Sequence, residues 1–152
     1  MNIEQDYTAI DTLIKRLETA PHVDHMALYE QAREQRRLGI ERILDEGLTW
    51  GEAMGAHRIL NQPQSSFEIE LRAIKDDLSA QIEIFEHDLH KWFTQGEFPP
   101  PHYPMRIAII LRKQKQHDRE KRFLAAYLMN FRTKRGCATD EKIVDRARKM
   151  GI

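Results

Sequence analysis

The chain is predicted to be all-α, and three observations carry that reading. Apolar residues recur at steps of three and four through most of its 152 residues. Start and stop signals bracket those runs, and Pro or Gly stands between them. The predicted architecture is a single-domain bundle of six to seven helices around one long amphipathic helix, about residues 66–94.

That long helix is read from the stretch Ser65–Gly96. Leu71, Ile74, Leu78, Ile82, Phe85, Leu89 and Trp92 form one stripe. Steps of three and four return side chains to one helical face, so about 28 residues, or about 42 Å, are expected to run unbroken. Ser65 with Glu68 makes a capping box at its start, and Gly96 closes it.

The other elements follow in order. A first helix over about Asp6–Thr19 buries Ile10, Leu13, Ile14 and Leu17 and stops before Pro21. Asp24 is an N-cap for a second helix reaching toward Glu46, with a kink or break expected near residues 33–39 and Gly47 as its C′ residue. Thr49 and Glu52 form another capping box, opening a short helix to about Leu60. A Pro-rich connector at 97–104 then turns the chain, since three consecutive prolines cannot continue a helix. Ile107–Leu111 is an apolar patch that fits a helix or a short strand. The apolar gap at 112–122, before Phe123, Leu124, Tyr127, Leu128 and Phe131, predicts two short helices with a polar turn near Gln116–Asp118. A last helix follows Gly136, with Thr139 as N-cap and Ile143, Ala147 and Met150 on its apolar face.

Residues 104–131 resemble one helical hairpin of the tetratricopeptide type. Ala108 takes the small position of the first helix, Leu111 the large one after it, and Leu124 and Tyr127 the packing positions of the second; Glu120 stands where that family carries alanine. The resemblance implies a protein-binding helical scaffold.

Charge is the most informative part of the composition. Lys+Arg and Asp+Glu both number 24, giving zero net charge. Residues 105–152 hold 14 basic against 5 acidic groups, a difference of +9, and residues 1–104 hold 10 against 19, a difference of −9. The connector thus separates an acidic part from a basic one. The densest basic cluster comprises Arg132, Lys134, Arg135, Lys142, Arg146 and Lys149, and it is the candidate macromolecule-binding site. Its functional reading is phosphate contact, which would depend strongly on salt. The competing reading is a face paired with the acidic part.

No constellation for catalysis emerges. Gly-rich phosphate loops, nucleophile elbows and HExxH are missing from the sequence. Glu83, His87 and His90 share a helical face, but it lies opposite Ile82, Phe85 and Leu89, so a solvated face is expected there and no metal or cofactor is assigned. His22 and His25 are read the same way. Cys137 is the one cysteine, so no internal disulfide can form. No run reaches the roughly 18 apolar residues of a membrane span, and the first residues lack a signal peptide's pattern, so a cytoplasmic protein is expected.

These readings converge on a non-catalytic helical adaptor whose partner is another protein. The alternative is a nucleic-acid-binding regulator using the basic region. A monomer is preferred to a homodimer, because the stripe lacks systematic charge pairing along its flanks.

Overall fold

The structure of the chain, a computed structural model, describes residues 2–131 and 137–152. Among the described residues there are nine α-helices, one short 3-10 turn and no strand. In chain order they are α1 (Ile3–Glu18), α2 (His25–Gln31), α3 (Arg33–Glu46), α4 (Trp50–Met54), the 3-10 turn (Arg58–Leu60), α5 (Gln64–Ala73), α6 (Leu78–Gln95), α7 (His102–Lys113), α8 (His117–Phe131) and α9 (Ala138–Lys149). The all-α class holds, but with more helices than the six or seven expected.

The excess has two local causes. The expected second helix divides at Ala32 into α2 and α3. The long helix expected over 66–94 divides at residues 74–77. There the Asp77 carboxylate accepts from the Ala80 N–H at 3.0 Å, the geometry of an N-cap. Aspartate satisfies orphan donors at a helix start better than it serves a helix interior, so Asp76-Asp77 restarts the helix. The stripe could not reveal this, because its step is the same in both pieces. Its burial does differ. α5 buries no residue fully, whereas Leu78, Ile82, Phe85, Leu89 and Trp92 on α6 are buried.

Several local signals act as read. Asp24 accepts from the Ala27 N–H at 3.1 Å, and Thr49 Oγ1 from the Glu52 N–H at 3.2 Å. Others do not. α4 ends at Met54, well short of Leu60. α5 begins at Gln64 behind Pro63, which leaves Ser65 inside the first turn. Cys137, rather than Thr139, precedes α9. Gly136 lies outside the described residues. Pro104 belongs to α7, so the Pro-rich connector is shorter than 97–104, and Ile107–Leu111 is helical. The turn between α7 and α8 falls at Gln114–Gln116. Lys115 occupies the left-handed region with φ 59°, while the Gln116 N–H reaches Leu111 O and the Lys115 N–H reaches Arg112 O. This is a Schellman closure made without glycine.

The chain folds as two compact units whose segments interleave. One comprises residues 1–22, 76–86 and 100–152, with α1, the first part of α6, and α7–α9. Its core contains Ile10, Leu13, Ile14, Leu17, Phe85, Ile107, Leu111, Phe123, Leu124, Tyr127 and Ile143. Phe85 meets Phe123 edge-on with ring centroids 6.1 Å apart. Each such side chain stabilises the fold by roughly 1.5–3 kcal/mol on burial. Polar pins fix α1 on α8. Arg119 grips Asp11 with two hydrogen bonds of 2.9 and 3.0 Å, and Asn130 Nδ2 donates to Leu17 O at 2.9 Å.

The other unit comprises residues 23–75 and 87–99, with α2–α5, the 3-10 turn and the last part of α6. Its large buried apolar side chains are few: Ile59, Leu89 and Trp92, with His57 as a buried polar neighbour in the same unit. Backbone proximity replaces bulk. A Cβ at Gly39 would lie 3.1 Å from Met54 Cε, and one at Gly96 would lie 2.3 Å from His25 O. Gly96 also has φ +68°, a left-handed conformation that glycine adopts without the steric cost of a Cβ. Phe98 packs on Trp92 at 4.6 Å and on His25 at 4.8 Å.

Candidate interaction surfaces

Of the basic cluster read from the sequence, Lys142, Arg146 and Lys149 fall within the described residues. Arg132, Lys134 and Arg135 lie outside the described residues. Lys142 and Lys149 are exposed on α9, seven positions apart and therefore on one face. Arg146 lies 40–60° around the helix from both, toward Ile143, and is turned inward. Its Nε donates to Glu120 Oε1 at 2.6 Å, while Arg112 Nε donates to Glu120 Oε2 at 2.8 Å. Glu120 has 0% exposure. One buried carboxylate therefore joins α7, α8 and α9.

Among the described residues, five other cations after the prolines, Arg119 on Asp11 included, also have carboxylate partners. Arg106 and Lys113 share Asp76 Oδ1 at 3.0 and 2.7 Å, Arg122 pairs with Glu18 at 3.2 Å, and Arg148 with Asp145 at 3.2 Å. Asp11, Glu18 and Asp76 all come from the acidic part of the sequence. The separation of +9 from −9 is accordingly reduced within the fold. The unit containing α7–α9 carries 16 Lys+Arg against 13 Asp+Glu, a difference of +3, and the other carries 8 against 11, a difference of −3. After the prolines, Lys115, Lys121, Lys142 and Lys149 are the exposed lysines without a carboxylate partner among the described residues.

A different surface is conspicuous in the unit formed by α2–α5. Met26, Tyr29, Leu38, Ile40, Leu44, Trp50, Leu60 and Ile69 are all exposed, Leu44 at 79% and Trp50 at 61%. α3 is the clearest case. It carries Leu38, Ile40, Ile43 and Leu44, yet the only residue it buries is Gly39. Ile40 and Leu44 stand one turn apart on the same side. Its polar positions are spent on local ion pairs, with Arg37 held between Glu34 and Glu41 and Arg42 beside Glu46 at 3.3 Å. Arg37's hydrogen bond keeps the Glu34 carboxyl below its usual pKa. Scattered exposed apolar residues are normal, but eight large ones on consecutive elements of one small unit favour an interaction surface.

Ionisable groups also gather on the last part of α6. Lys91 Nζ pairs with Glu97 Oε2 at 2.9 Å, and the His57 and His87 rings meet edge-on at 5.5 Å. His57 Nδ1 accepts from the Ile59 N–H at 3.2 Å. Asp88 Oδ2 is buried without a hydrogen-bond donor. Burial pushes this carboxyl up to about 7; Glu97 adds to the shift and Lys91 opposes it. His87 is lowered, first by burial and then by His57, Lys91 and His90. Sequence reading missed Asp88, although its signal was present. On the helical wheel it stands 40° from Trp92 and 60° from Phe85, at the edge of the buried stripe.

The histidine sets weighed for metal do not assemble. Glu83, His90 and His22 are exposed, and His25 stacks on Trp92 at 5.8 Å. Among the described residues, no three His, Cys, Asp or Glu side chains come together in a metal-binding arrangement. Nor is any helix long and apolar enough to cross a membrane. No protein-family model, curated protein or solved structure matches the chain.

Proposed function

We propose that this chain is a non-catalytic helical module that binds another protein through exposed apolar residues of α2–α4, with Ile40 and Leu44, one turn apart on α3, at the centre. The observation that carries this reading is α3, a helix of 14 residues that buries a single glycine while exposing Leu38, Ile40 and Leu44. Burying such side chains against a partner contributes roughly 25 cal/mol per Å² of apolar surface, the main attraction in most protein association. Trp50, beside them in sequence on α4, supplies the type of large aromatic anchor common at interface hot spots. The α7–α8 hairpin, with its resemblance to the tetratricopeptide type, is consistent with a scaffold role.

The test is affinity capture from nuclease-treated extract, comparing the natural chain with Leu44→Glu/Trp50→Glu. Both positions are exposed, so the urea midpoint should shift by no more than about 0.5 kcal/mol of stability. Capture that survives nuclease and is lost in the double variant supports the reading. Capture unaffected by the double variant refutes the surface.

Nucleic-acid binding is the second reading, favoured by the shared face of Lys142 and Lys149. With Arg146 engaged by Glu120, that face has two lysines at the described positions. Lys142→Glu/Lys149→Glu should then abolish any salt-sensitive gel shift, and an intact shift would exclude the face.

A further inference from the structure

Glu120 divides its two oxygens unequally between parts of the fold. Oε2 accepts from Arg112, eight residues earlier in the same hairpin, so that bond belongs to α7–α8 alone. Oε1 accepts from Arg146, which arrives from α9. The hairpin therefore engages one oxygen of its own buried carboxylate and presents the other as an acceptor to whatever lies across it. What lies there is a 12-residue helix that buries Ile143 and Ala147 and has no side-chain bond at its N-cap. A helix of that length is marginal alone in water, so its helicity depends on the hairpin beneath it.

The hairpin thus has the form of a receptor: an apolar seat, with a single carboxylate oxygen to fix register. We propose that α7–α8 is a docking site for an amphipathic helix of a partner protein, and that α9 is its resident intramolecular occupant. The partner would carry a branched apolar residue, an arginine three positions later and a small residue after that, the pattern of Ile143, Arg146 and Ala147. Helix-in-groove recognition reads such i, i+3, i+4 anchors. The arginine gives specificity, because a helix lacking it leaves Glu120 Oε1 buried without its second cation. While α9 is seated it competes with the partner, and the contact is autoinhibitory. This concerns the seating of α9 on α7–α8, not the exposed apolar residues of α2–α4, and either reading can fail without the other.

The test uses a fluorescent peptide with the sequence of residues 138–152 as probe and the full chain as receptor. The natural chain should bind it weakly. Ile143→Asp, which unseats α9, should bind it at least tenfold more tightly, the gain from removing an internal competitor. Replacing the peptide's arginine by alanine should weaken binding to that variant about 30-fold or more, as expected when one partner of a buried, hydrogen-bonded charge pair is truncated. Equal binding by the natural chain and the variant overturns the proposal, as does indifference to the peptide's arginine. Should Ile143→Asp not fold, hydrogen exchange of the natural chain decides. Saturating unlabelled peptide must accelerate exchange at the amides of Ile143 and Ala147, and unchanged exchange overturns displacement.

Discussion

Asp88→Asn should stabilise the protein at pH 8 and leave it nearly unchanged at pH 4. The Asp88 carboxyl is raised from its usual 3.8 to about 7, chiefly by burial and secondarily by Glu97. Between those values the folded state holds the proton more tightly than the unfolded chain does. Stability is therefore greatest below the unfolded pKa and falls as pH rises through the folded one, with the full penalty present above about 7. A shift of about three units corresponds to roughly 4 kcal/mol as an upper bound, and partial solvation of the carboxyl lowers the working figure to about 2 kcal/mol. Asparagine keeps the shape and removes the charge. Urea unfolding at pH 4, 6 and 8 would follow the difference between variant and natural chain, expected to grow from near zero to about 2 kcal/mol. His87 contributes the opposite slope: its pKa is lowered, so its stabilisation is lost as pH falls below the usual 6.5. That slope is common to both proteins and largely cancels in the difference. A difference independent of pH, or one that favours aspartate at pH 8, would refute a buried, donor-poor carboxyl.

Two further substitutions probe the scaffold. Glu120→Gln leaves Arg112 and Arg146 without their shared anion and should destabilise the chain by about 3 kcal/mol in urea titration, since breaking a buried pair from one side is costly. Gly96→Ala combines φ +68° with a Cβ placed 2.3 Å from His25 O, so a loss above roughly 2 kcal/mol is expected, with altered near-ultraviolet dichroism from Trp92.

Local backbone chemistry was readable from the sequence, and tertiary partnership was not. Asp24, Thr49, Gly47 and Gly96 cap or close helices as expected because a cap is decided within a few residues. The break at 74–77 escaped notice because a stripe of constant step runs through it, and the only hint was a pair of aspartates. The α7–α8 turn was placed two residues late, since Lys115 fills the position where glycine would have marked it. For the candidate site, steps of four and three place Lys142, Arg146 and Lys149 close together around one helix. Spacing could not show that an acceptor 26 positions away, buried on another helix, would take the arginine.

The interleaving of the two units also has a consequence during synthesis. Every residue of the α2–α5 unit has been made once Pro99 is added. α1 is made first, yet its apolar face cannot be covered until α8 emerges, and Leu17 O waits for Asn130 across 113 positions. At roughly 5–20 residues per second, Ile10, Leu13, Ile14 and Leu17 remain uncovered for about 6–20 s on the ribosome. The nascent chain is thus expected to present α1 to any chaperone that recognises short apolar helices, and to release it when the hairpin at the other end of the sequence appears.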